Sequence, residues 1–171
     1  AEPRELVDFN ERFEFTENWE KKFKGENNLN NFIPAFSGNN LFFVDPEGNV
    51  SNIDIESGEL LWESKLEITI SAGIVAGFGK LFLSDDQGNL ISLDQEDGSI
   101  LWKSFAGGEV LANVDVDAGL VIVKTASGFL NAFNIETGSE EWSYRSVAPS
   151  LTVRGSSSPV INDNIVYATF D

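Results

Sequence analysis

A chain of 171 residues is long enough for one core or a short array of repeats, and too short for two independent globular domains. Hydrophobic residues at 42% and charged residues at 23% exclude wholesale disorder, while 28 acidic against 11 basic side chains, a net charge of −17, disfavour nucleic acid and anionic lipid as direct partners. With neither cysteine nor histidine, the chain can build no disulfide, thiolate metal site, Ser-His-Asp triad or histidine-ligated zinc site.

In chain order, the opening "AEPRELVDFNERFEF" shows no basic flank followed by an apolar run, so no signal peptide is read from it. The expectation is a cytosolic protein, or one from which a targeting segment has been removed. No stretch approaches the roughly 18 consecutive apolar residues of a membrane-spanning helix. Residues 12–25, with Trp19 in "FTENWEKKFKG", read as an outer β-strand that arrives without the strands preceding it in its sheet.

Three units follow, over 32–66, 67–106 and 107–146. Gly48, Gly88 and Gly128 stand forty residues apart, as do Gly58, Gly98 and Gly138, and as do Trp62, Trp102 and Trp142. Each unit opens with an extended stretch ("NFIPAFSG", "ITISAGIVAG", "EVLANVDVDAG"), then a short apolar strand beginning at Leu41, Leu81 or Val121. The first glycine closes a tight hairpin that calls for positive φ. In the strand after it, the fourth residue past the glycine is small (Asn52, Ser92, Ala132) and the fifth is large and apolar (Ile53, Leu93, Phe133). Such a strand is buried on both faces, with one face accepting a close neighbour and the other filling a core. A turn ending in the second glycine leads to the strand that carries the tryptophan.

Four short strands per forty residues is the period of a β-propeller blade, and the repeats of similar length that compete with it are helical. The reading is therefore all-β: a propeller of four-stranded antiparallel blades, with each tryptophan wedged against the adjacent blade. Burying about 150–250 Å² of ring at about 25 cal/mol/Å² contributes at most roughly 4–6 kcal/mol. Residues 147–157 break the rhythm as a connector between blades, and 158–171 supply the first two strands of a fourth unit. Three full units with half-units at both ends do not close a ring of four to eight blades. The expectation is a piece of a longer protein whose uncovered strand edges and apolar faces favour self-association.

Two further motifs were weighed. "NVDVDAGL" from Asn113 follows the first half of a calcium-binding loop, but Lys124 stands where the twelfth-position acid belongs. "NVS" at Asn49 matches a glycosylation acceptor yet lies inside the hairpin. No catalytic or metal-ligating set is read.

The unit "GNLISLDQEDGSILW" resembles the repeat of the PQQ-like, quinoprotein-type propellers, a likeness specific for the superfamily and silent about activity. The segment "APSLTVRGSSSPVI", from Ala148 to Ile161, resembles more narrowly the BamB family of outer-membrane assembly lipoproteins, as does the N-terminal "ELVDF" followed by a strand with Trp19. This resemblance covers essentially the whole chain and implies the first half of an eight-bladed ring. It implies a scaffold of the barrel-assembly machinery at the periplasmic face of the outer membrane, with no cofactor. The implied partner is the POTRA region of BamA, with unfolded outer-membrane proteins as further partners.

The family's two aliphatic contacts and arginine map to Leu151, Val153 and Arg154; Val153 departs from the family's more usual leucine. The lipid-bearing N-terminal cysteine of the family is absent from this sequence. Exposed aliphatics beside an arginine, in an insertion between repeats, form a small binding hot spot on physical grounds also. The bland alternative has Leu151 and Val153 packing the insertion onto its blade and Arg154 paired with a carboxylate. Two other classes stay open: a fragment of a quinoprotein dehydrogenase, whose complete ring holds pyrroloquinoline quinone and calcium, and a generic propeller interaction module.

Overall fold

The structure, a computed structural model, describes residues 13, 16–22, 32–146 and 157–170. Every regular element among them is a strand. β1 (Ala35–Ser37), β2 (Asn40–Val44), β3 (Asn49–Asp54) and β4 (Leu60–Lys65) pair antiparallel, each with the next, into the first sheet. β5 (Ile70–Gly77) to β8 (Ile100–Phe105), through β6 (Lys80–Asp85) and β7 (Asn89–Asp94), form the second. The third comprises β9 (Asp115–Asp117), β10 (Leu120–Lys124), β11 (Phe129–Asn134) and β12 (Glu140–Arg145). β13 (Val160–Asn162) and β14 (Ile165–Tyr167) pair as a two-stranded sheet. Stacked in chain order, these sheets are the blades of an incomplete β-propeller.

The turn chemistry explains the hairpins. Asp45 N donates to Asn49 O at 3.1 Å and Gly48 N to Asp45 O at 3.1 Å, which turns the chain in three residues with Gly48 at φ 84°. Gly88 N donates likewise to Asp85 O, and both backbone bonds recur at Thr125, Gly128 and Phe129; the first strand residue after each of these two glycines, Asn89 or Phe129, also donates its amide to the Asp85 or Thr125 side chain. The second turn of each unit is capped by an Asx side chain. Asp54 Oδ1 accepts from Glu56 N and Ser57 N, and Asn134 Oδ1 accepts from Glu136 N and Thr137 N.

Register explains the small residue in the third strand of each unit. Phe42, Asn52 and Trp62 lie opposite one another across β2, β3 and β4, as do Phe82, Ser92 and Trp102 across β6, β7 and β8. The two flanking rings lean together over the middle position, with centroids 6.0 Å apart in both sheets. A bulky residue there would collide with both rings. A bulge next to that position leaves Leu61 and Leu101 outside the ladder, where they are 51% and 44% exposed.

The core lies between sheets. Phe42, Val44 and Val50 of the first sheet pack on Ile74, Leu81, Leu83 and Leu93 of the second. The second sheet's other face sets Phe82 and Leu90 against Val121, Val123 and Phe133 of the third, with Val114 of the connector before β9 in the same cluster. The third meets the two-stranded sheet through Ile122, Leu130 and Ala132, against Ile161, Val166, Ala168 and Phe170. Central strands are therefore buried on both faces, and alternate side chains serve opposite seams.

Each tryptophan of the first two seams docks on the glycine turn of the following sheet. A Cβ added at Gly138 would lie 2.5 Å from Trp102 Cε3, and one at Gly98 would lie 2.6 Å from Trp62 Cζ3. Those glycines are required twice over, since their φ angles are 69° and 72°. Trp102 Nε1 also donates to Ile135 O at 3.1 Å. Trp19 docks likewise on Gly58, with its Nε1 donating to Ile55 O at 2.9 Å. Trp62 presents the far edge of its ring instead, and its Nε1 is buried without a hydrogen-bond partner among the described residues.

Candidate partner-binding site

The hairpins at Gly48, Gly88 and Gly128 and the start of each connector between sheets share one end of the stack. After each outer strand the chain returns a backbone bond to its own hairpin glycine: Leu66 N to Gly48 O, Ala106 N to Gly88 O, and Ser146 N to Gly128 O, at 2.9–3.0 Å. The connectors lengthen along the chain, from four residues (66–69) to nine (106–114) to fourteen (146–159). A long segment over a rigid frame is where recognition residues concentrate.

This end is stiffened by buried polar groups. Asp45 and Asp85, 7% and 1% exposed, each accept backbone bonds from two residues of their hairpin and a side-chain bond from Asn49 or Asn89. Asp85 also receives Lys103 Nζ at 2.8 Å. Burial alone would raise the Asp85 pKa; the Lys103 and Asn89 bonds outweigh it and hold the carboxyl below its ordinary range. The exposed rim of this end is acidic, with Glu47, Glu67 and Asp86 open to solvent.

The long connector is anchored at both feet. Upstream, Arg145 lies 5.1 Å from the centroid of the Phe129 ring, next to the Ser146 bond. Downstream, Ser157 Oγ bonds Thr169 Oγ1, and Lys124 Nζ reaches Ser157 Oγ at 3.2 Å and Thr169 O at 2.8 Å. Asp115 Oδ2 accepts from Ile161 N. Leu151, Val153 and Arg154, the expected binding residues, lie outside the described residues.

The other motifs resolve locally. In the calcium-loop-like segment, the carboxylates of Asp115 and Asp117 accept backbone bonds from Val116 and Ala118. Asn49 Nδ2, the atom a glycan would need, donates to Asp45 Oδ2 at 2.7 Å. A cleft of about 340 Å³ beside Lys21 and Lys22 is lined by Asp45, Glu47, Leu60 and Glu63, so charges of both signs face it. Sequence reading missed Lys124 and Asp115 as connector anchors; their signal was a polar residue at a repeat position that is apolar or small in the other units.

The family model for outer membrane protein assembly factor BamB matches residues 46–171. A protein of that name from Kangiella koreensis is 48% identical over 170 residues, which is 98% of this chain and 44% of the relative. The chain thus spans less than half of that relative. The crystal structure of BamB from Moraxella catarrhalis superposes with a TM-score of 0.74 at 25% identity, over 80% of this chain and 42% of that one. A quinohemoprotein alcohol dehydrogenase from Pseudomonas putida shares the fold, with a TM-score of 0.60 at 19% identity over 70% of this chain and 21% of that one.

Proposed function

This chain belongs to the BamB family of outer membrane protein assembly factors, and from that premise we propose that it is a non-enzymatic scaffold binding the periplasmic POTRA region of BamA. The contact is the connector between the third sheet and the two-stranded sheet, with Leu151 and Val153 as the apolar anchors and Arg154 as the polar one. The observation that carries this reading is the connector itself. It is the longest of the three, and both its ends are tied to a frame whose seams are already filled. An arginine in a chain of net charge −17 suits a carboxylate on the partner. The site lies at the periplasmic face of the outer membrane, where it supports insertion of β-barrel proteins.

Titrating the periplasmic domains of BamA against the chain tests this. Leu151→Ala and Arg154→Ala should each weaken binding by roughly tenfold or more, the loss of a hot-spot residue, with the unfolding midpoint unchanged. Affinity equal to the parent's in both variants overturns the assignment. Incubation with pyrroloquinoline quinone and calcium should leave no bound-cofactor absorbance after desalting; a retained quinone spectrum would favour the dehydrogenase reading.

A further inference from the structure

Resting on the docking reading above, the geometry points to a polar latch, made by Lys124 and Asp115, that positions the connector for its partner. Equivalent positions of the repeat expose it. Lys124 occupies the place of Val44 and Ser84, all three in the strand that enters the hairpin and all three buried, at 6%, 1% and 0% exposure. Asp115 occupies the place of Ala35 and Val75, each opposite the same strand position: Ile122, Phe42 and Phe82. In the first two sheets these positions are apolar or small. Only in the sheet that precedes the fourteen-residue connector are they a lysine and an aspartate.

Both charged groups act across the seam. Lys124 Nζ donates to Thr169 O and Ser157 Oγ and lies 5.8 Å from the Phe170 ring centroid, so it ties the connector's downstream foot to the strand end beyond β14. Asp115 Oδ2 accepts the Ile161 amide and so ties β13 to β9. An apolar seam of small contact area tolerates sliding, because hydrophobic contact has no direction. Charge-assisted hydrogen bonds do have direction, and two of them at separated points fix one register. A partner gripping the connector therefore meets a downstream foot, from Ser157 to Ile161, that is held in one place, which lowers the entropic cost of engaging it. Lys124 and Asp115 are positioning residues; neither need touch the partner.

The test compares Lys124→Met, which keeps the length and apolar stem, with Lys124→Arg, which keeps the charge, in the full chain. Hydrogen exchange across Ser157–Asn162 should quicken in Lys124→Met and return toward the parent rate in Lys124→Arg. Affinity for the BamA periplasmic domains should fall roughly fivefold to tenfold in Lys124→Met and be largely restored in Lys124→Arg. Combined with Leu151→Ala, Lys124→Met should add little further loss, because both act through one connector. If Lys124→Met fails to fold, Asp115→Val, which installs the second sheet's own residue, carries the same comparison. Leu151→Ala weakening binding while Lys124→Met and Asp115→Val do not would overturn the latch and leave the docking reading standing. No loss in any of them would overturn both.

Discussion

Trp102 and Trp142 occupy the same repeat position and meet different ends. Trp102 is pressed onto the Gly138 turn of the next sheet, with its indole N–H satisfied by Ile135 O. Trp142 is 36% exposed, and among the described residues no glycine turn receives it, its sheet being covered by Ile161, Val166, Ala168 and Phe170. A blade of this repeat does not bury its own tryptophan; the following blade does. The energy of the fold thus resides in the seams, and each seam needs a ring from one unit and a turn from the next.

The largest expected contrast follows from that division of labour. Trp102→Ala should lower unfolding free energy by roughly 3–5 kcal/mol and Trp142→Ala by roughly 1 kcal/mol, measured by urea titration. Equal losses would mean that the ring's own sheet, and not its neighbour, supplies the packing. A somewhat smaller pair probes the receiving turn. Gly138→Ala places a methyl into the Trp102 ring at positive φ and should cost roughly 2–4 kcal/mol, whereas Gly119→Ala, also at positive φ but in open space, should cost roughly 1 kcal/mol.

Lys103→Met sharpens the comparison at the hairpin end and should cost roughly 1–2 kcal/mol near neutral pH, since Asp85 loses its charged partner but keeps its amide donors. The folded pKa of Asp85 is depressed, so the stability it contributes is fully present above the ordinary carboxylate range and is lost as pH falls through the folded value. Without Lys103, the folded pKa rises and the acid limb of the stability profile moves to higher pH. An unmoved limb in urea midpoints collected across acid pH would contradict that sign. The smallest effect belongs to the Lys80–Glu136 pair that crosses the second seam at 2.9 Å: its carboxylate is mostly solvated, and Glu136→Ala should change stability by no more than about 0.5 kcal/mol.

The seams were largely legible in the sequence, because three copies of one pattern report on themselves. Glycines at 48, 88 and 128 located the turns, and tryptophans at 62 and 102 the wedges, before any coordinate, whereas the wedge expected of Trp142 is not found among the described residues. The reason for the small residue at Asn52, Ser92 and Ala132 was read too loosely. In the first two sheets it makes room beneath two rings of its own sheet, a relation across three strands that linear spacing does not display. Capping by Asp45 and Asp85 was present as Asp-x-x-Gly-Asn in "DPEGN" and "DDQGN", but "TASGF" in the third unit uses Thr125 instead and obscured the pattern. Lys124 and Asp115 gave no local sign of their partners, which lie 33 to 46 residues away across a seam. The repeat explains what the units share; the latch sits where one unit departs from the others.

On the proposed reading, the stacked sheets are the frame and the connector between β12 and β13 binds the partner. Replacing residues 147–156 with a glycine-serine linker of equal length isolates the two. Calorimetric titration against the BamA periplasmic domains should then show at least a tenfold loss of affinity with an unfolding midpoint close to the parent's. Undiminished affinity in that variant would contradict the account.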